Sequence, residues 1–214
     1  MSGVTATTAL ADRVRSLARD SGRLSGLFGV SIAGLAWTCA TDGRALLLHL
    51  LLCPDRPADD AELRVLGEWV PGEVETAATH PEYDLAPLLA FLGAGDPFVR
   101  CGSCKGSGEC RCECGHEHDC QDCGGLGGEG GEERPVWVDT LLVDANRLAC
   151  WLAAVGADAG RVRVGVAASK PAADHLWVSD PGGRWHVCLM PMDRACVPGA
   201  DSRPRWTPEK GGEA

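Results

Sequence analysis

Residues 27–52, LFGVSIAGLAWTCATDGRALLLHLLL, decide how the chain is read. Apolar and β-branched runs are broken at Ala33-Gly34 and again at Thr41-Asp42-Gly43, and both breaks are turn signals that join neighbouring strands. The spacing predicts three antiparallel strands. The longest apolar run, ALLLHLLLC at 45–53, contains a histidine and is far shorter than the roughly 20 residues that span a bilayer. It reads as a buried strand, and no membrane partner is expected.

Upstream, LADRVRSLARDSGRL (10–24) sets Leu10, Val14 and Leu17 on one face of an amphipathic helix. On its other side Arg15, Arg19 and Arg23 recur at four-residue intervals as a basic stripe, tempered by Asp12. Residues 54–100 are rich in proline and acid, with one predicted helix at 85–92. Regularity returns at Pro135. There PVWVDTLLV reads as a strand, Asp144 as an N-cap, and NRLACWLAAVGADAG as a helix aligning Leu148, Leu152 and Val155. RVRVGVA, HLWVS and RWHVCLM follow as strands, the last two joined by DPGG.

A helix followed by three strands therefore occurs twice. The simplest packing puts the two helices side by side on one face of an antiparallel sheet, an α+β arrangement. The expected organisation is a first half with its connector (1–100), a cysteine-rich insert (101–134), a second half (135–193) and a mobile tail (194–214) in which Trp206 is a candidate to dock.

The insert opens with CGSCKGSGECRCECGHEHDCQDCGG, which holds seven cysteines and two histidines in 25 residues. Cys101 and Cys104 form one C-x-x-C, Cys120 and Cys123 another, and the 15 residues between the pairs fit a four-thiolate zinc site. Cys110, Cys112, Cys114, His116 and His118 lie between the pairs and are candidates for a second zinc, with the choice among them open. Residues 101–131 hold a single leucine, Leu126, so coordination must take the place of an aliphatic core.

Competing chemistries are less well supplied. The HEHD of 116–119 is similar to an H-x-H-x-D metal-hydrolase motif, but surrounding thiolates would close the open position that such a site needs. Thiol–disulfide exchange by the C-x-x-C pairs is the other enzymatic alternative. The chain has no G-x-S-x-G, H-E-x-x-H or phosphate-binding glycine loop, so no catalytic residue is assigned. His49 and His186 read as structural, whereas His80 and His175 show no partner in the sequence. Of the dispersed cysteines, Cys39, Cys53, Cys150 and Cys188 lie among aliphatic neighbours and read as packing residues, and Cys196 as part of the tail. The net charge of −10 excludes a molecule-wide attraction to nucleic acid. No secretion signal opens the chain, so a cytoplasmic location is expected.

The repeated CGSCKGSG and CQDCGGLG resemble the CxxCxGxG cysteine-rich region of J-domain co-chaperones. That resemblance implies a first zinc on Cys101, Cys104, Cys120 and Cys123 and a second zinc in the irregular middle. The flanks are similar to something else. CATDGRALLL (39–48) and HVCLMPMD (186–193) resemble the strand-turn-strand segment and the terminal strand of bacterial DNA polymerase III β sliding clamps, with VDANRLACWLAAV similar to a clamp helix between them. This second resemblance implies a clamp-like domain, self-association because the chain is long enough for only one such domain, and DNA contact through Arg15, Arg19 and Arg23. The combined expectation is a non-enzymatic, zinc-binding accessory protein with a protein partner and an association with DNA. The alternatives are a protein-binding zinc module with no role on DNA, and a zinc or thiol enzyme.

Overall fold

A computed structural model describes residues 10–15, 17, 26–41, 45–60, 63, 66, 74, 76–93, 99–104, 109–111, 117–122, 128–129, 133–155, 160–167 and 174–207. Arg19, Arg23, Cys112, Cys114, His116 and Cys123 lie outside the described residues.

The fold is α+β. Residues 10–15 and 17 are helical, and Ala11 and Val14 are buried in the main core with Leu10 and Leu17 packed against it. The three expected strands follow as β1 (Phe28–Ile32), β2 (Leu35–Thr41) and β3 (Ala45–His49), paired antiparallel in chain order. Ala33 and Gly34 take φ of 51° and 78°. Positive φ at both central residues is the two-residue turn whose twist suits a hairpin, and here it closes on the Ile32↔Leu35 pair. Strand β4 (Arg56–Pro57) lies parallel to β1, and β5 (Glu82–Asp84) leads into α1 (Leu85–Leu92). Gly93, at φ 69°, ends that helix and donates its N–H to the Leu89 carbonyl.

The insert contributes β6 (Val99–Arg100), β7 (Glu109–Arg111), β8 (Glu117–Asp119) and β9 (Gly128–Glu129). PVWVDTLLV, expected as one strand, is instead a hairpin of β10 (Pro135–Val138) and β11 (Leu141–Asp144), turning at Asp139 with φ 54°. Only Asp139-Thr140 interrupts the apolar run, a two-residue break without a glycine to mark it as a turn. Asp144 caps α2 (Ala145–Val155) as expected, its Oδ1 accepting the Asn146 N–H at 3.1 Å. The second meander is β12 (Arg161–Ala167), β13 (His175–Ser179) and β14 (Trp185–Leu189).

The large sheet runs β4-β1-β2-β3-β14-β13-β12-β5. The two meanders meet where β3 pairs antiparallel with β14, Leu47 opposite Val187. One face packs Leu47, Val164, Leu176 and Val187 against Val14, Leu88 of α1 and Leu148, Trp151 and Leu152 of α2. The other face packs Phe28, Trp37, Leu48 and Trp177 beneath Leu66, Val74 and Ala77. The first helix and α2 share one face, and residues 66, 74 and 77, also helical, lie over the other. Burial on both sides explains why β3, β13 and β14 are buried at every position and lack a polar alternation. On the second face Gly165 is required by a close approach, because a Cβ there would sit 2.4 Å from the His80 ring.

Residues 194–207 lie against the scaffold, with Trp206 docked. β15 (Arg205–Trp206) adds in parallel to β10, Trp137 Nε1–H donates to the Ala200 carbonyl at 2.8 Å, and Trp206 is buried edge-on to Tyr83. Tryptophans at both ends of the contact tie down a segment whose composition reads as linker.

Two predictions follow from the sheet. Ala33 holds a left-handed conformation that asparagine tolerates better, so Ala33→Asn should stabilise the fold by about 1 kcal/mol in urea denaturation; a lower midpoint contradicts the turn. Burial first of all depresses the pKa of His49 to about 4, aided by Arg184 and opposed by Asp180; burial likewise depresses His186 to about 4, opposed by Asp180 and aided by His80. Both are neutral when folded, whereas the unfolded chain takes up protons as pH falls through about 6.5. Stability should therefore be full above pH 7 and fall between about 6.5 and 4, by up to roughly 3 kcal/mol for each histidine. A denaturation midpoint that stays flat from pH 7 to 5 contradicts this.

Candidate metal centre

The insert leaves the scaffold on β6 and returns on β9, which pair antiparallel as a neck, Arg100 opposite Gly128. Cys101 directly follows β6 and begins a turn through Cys104. The hairpin β7–β8 then places Cys110 opposite His118, and Cys120 directly follows β8. Each of two strand ends thus feeds a cysteine into a turn, and the turns are tied together by a hydrogen bond from the Ser103 hydroxyl to the Asp122 carboxylate.

At this junction the sulfurs of Cys101, Cys104 and Cys120 lie within 4.8 Å of one another, with Cys101 and Cys120 at 3.7 Å. The three residues are only 5%, 8% and 1% exposed. Their cluster contains no aliphatic side chain among the described residues, only a further cysteine, Cys110, packed against it. Such a core gains little from burial and crowds groups that resist ionising together. A hydrogen bond to Cys120, burial and the neighbouring Cys120, Cys104 and Cys101 push the Cys110 thiol up to about 11. A divalent cation reverses that balance, since coordination deprotonates thiols and neutralises the thiolates. The three cysteines, with Cys110 beside them, can therefore hold a metal ion.

The structure brings together three of the four cysteines assigned to the first centre. It also places Cys110, assigned to a second centre, beside the first. His118 is exposed across the strand from Cys110. The basic stripe fares differently. Arg15 Nη2 lies 2.7 Å from Asp55 and Nη1 3.0 Å from Asp12, and Asp55 also accepts the Leu27 N–H. Arg15 thus fastens the first helix to the β3–β4 loop, and the Asp55 carboxylate is held below its ordinary range by that hydrogen bond. Aspartate 40 residues away gave no local pattern that could have revealed the pairing.

Two of the dispersed histidines are buried and hydrogen-bonded. His49 Nδ1 accepts the Leu51 N–H at 3.0 Å, and His186 Nδ1 accepts Trp177 Nε1–H at 3.1 Å. Cys39 and Cys188 are buried as expected of packing residues, but Cys53 is exposed at the end of its apolar run. A cleft of about 350 Å³, missed in the sequence, is lined by Arg147 and Met192 and by Met190, which is 51% exposed. Among the described residues no helix is long and apolar enough to cross a membrane. Compared with known proteins, the chain matches no family model, no curated protein and no solved structure.

Removal of a metal bound at this centre should loosen the insert and spare the sheet. On chelation, amide exchange should accelerate at 101–104, 109–111 and 117–122 and stay slow in β3, β13 and β14. Unchanged protection in the insert, or collapse of the whole chain, contradicts a locally structural metal.

Proposed function

We propose that the protein is a non-enzymatic, zinc-ordered interaction protein, in which an α+β scaffold holds out a thiolate-bound insert to a protein partner. The observation that carries this reading is the meeting of Cys101, Cys104 and Cys120 at one buried point. Zinc suits them, because structural zinc takes four tetrahedral thiolate or imidazole ligands and C-x-x-C turns aim two at one ion. Its binding supplies roughly 10–16 kcal/mol, enough to order a segment whose core is sulfur. A second zinc would draw on Cys112, Cys114, His116 and His118, and on Cys110 only where the first centre does not take it. The acidic residues Glu113, Glu117, Asp119 and Asp122 favour a basic partner surface.

The scaffold reading is a clamp-like domain. Two three-stranded meanders meeting at β3–β14, with helices packed in the core of one face, support it. DNA association is the second reading. The engagement of Arg15 by Asp12 and Asp55 favours a protein partner over it.

The test uses the full chain and a variant whose residues 101–134 are replaced by a short glycine linker. Native mass spectrometry should find zinc only on the full chain, and a cross-linked protein partner should be lost with the insert while the scaffold stays folded. Salt-sensitive binding of a DNA duplex that falls when Arg15, Arg19 and Arg23 become alanine would instead favour the clamp reading.

A further inference from the structure

We propose that Cys110 supplies a sulfur to the same metal centre as Cys101, Cys104 and Cys120, so that the metal holds the hairpin β7–β8 as well as the two turns. The inference rests on the metal reading above and deepens it, because it makes presentation of the hairpin conditional on the ion.

The hairpin register carries the argument. Side chains directly opposite across an antiparallel pair share a face, and so do residues two apart along a strand. Cys110 stands opposite His118, and Cys120 is two residues beyond His118 along the same strand direction. Cys110 and Cys120 therefore belong to one face, as diagonal neighbours. The packing agrees: Cys110 lies against the three buried cysteines. The other described cysteines, Cys39, Cys53, Cys150, Cys188 and Cys196, belong to the scaffold and not to this cluster. Counting repeats along the sequence sends Cys110 to a separate centre; the strand pairing sends it to this one.

A tetrahedral ion accepts four ligands. Cys101, Cys104 and Cys120 occupy three positions, and Cys110 competes for the fourth with Cys123, whose claim comes from the C-x-x-C spacing and the CxxCxGxG resemblance. Coordination by Cys110 anchors the strand between the two C-x-x-C pairs. The hairpin carries Glu109, Glu117 and Asp119, so the ion also sets when this acidic segment is held in a fixed conformation for a partner.

One equivalent of cobalt(II) added anaerobically to the full chain reads the number of thiolates through its sulfur-to-metal charge-transfer band. In Cys110→Ser the band per bound cobalt should fall by about a quarter, and amide exchange at 109–111 and 117–119 should accelerate at least about tenfold with the sheet unchanged. Cys123→Ser should keep the full band, and Cys110→His, which restores a donor, should keep the hairpin protected. A full band and a protected hairpin in Cys110→Ser, with the loss appearing in Cys123→Ser, overturns the assignment while leaving the metal reading intact. A wild-type chain that takes up no cobalt or zinc overturns both.

Discussion

Three sulfurs buried within 4.8 Å of one another, with no aliphatic side chain in their cluster among the described residues, set the constraint on which the insert depends. Thiols are small and weakly hydrophobic, and thiolates crowded at one point repel one another. A cation resolves both difficulties at once, since it converts mutual repulsion into shared coordination and replaces the apolar core that the segment lacks. The chain around the cysteines is arranged accordingly. Cys101 and Cys120 each leave a strand directly into a turn, and the two turns are bridged by Ser103 and Asp122.

The scaffold depends on a different force. Its sheet is buried on both faces, so apolar contact and not coordination fixes the register of β3 against β14. The two systems join at a narrow place. A Cβ on Gly93, where α1 ends, would approach Arg134 Nη1 to 3.2 Å, and the Arg134 carbonyl accepts the Ala145 N–H that starts α2. The insert thus departs and returns at neighbouring points and can be ordered by its own chemistry without altering the sheet. Separable order of this kind is what the proposed interaction role calls for.

Much of this was legible in the residues, for reasons that can be named. Strands β1 to β3 were visible because Ala33-Gly34 interrupts a β-branched run, and α2 because Asp144 precedes a 3.6-residue apolar stripe. Cys101, Cys104 and Cys120 were visible because C-x-x-C is a local geometry. What escaped depended on contacts between distant parts of the chain. The turn at Asp139 is marked only by Asp139-Thr140, with no glycine or proline beside it, and the docking of the tail needs Trp137 and Ala200 together, 63 residues apart. Helical cover on the second face comes from a segment whose prolines and acids obscure its buried Leu66 and Ala77. The same limit applies to Cys110, whose neighbourhood follows from a strand pairing and not from a spacing.

The measurement that bears most directly on the account is the metal content and sulfur coordination of the full chain, purified without oxygen with zinc supplied, by elemental analysis and X-ray absorption. The account predicts at least one zinc per chain in a shell dominated by sulfur. A chain that contains no metal, or binds it only through oxygen ligands, while keeping the insert ordered under chelator, contradicts it.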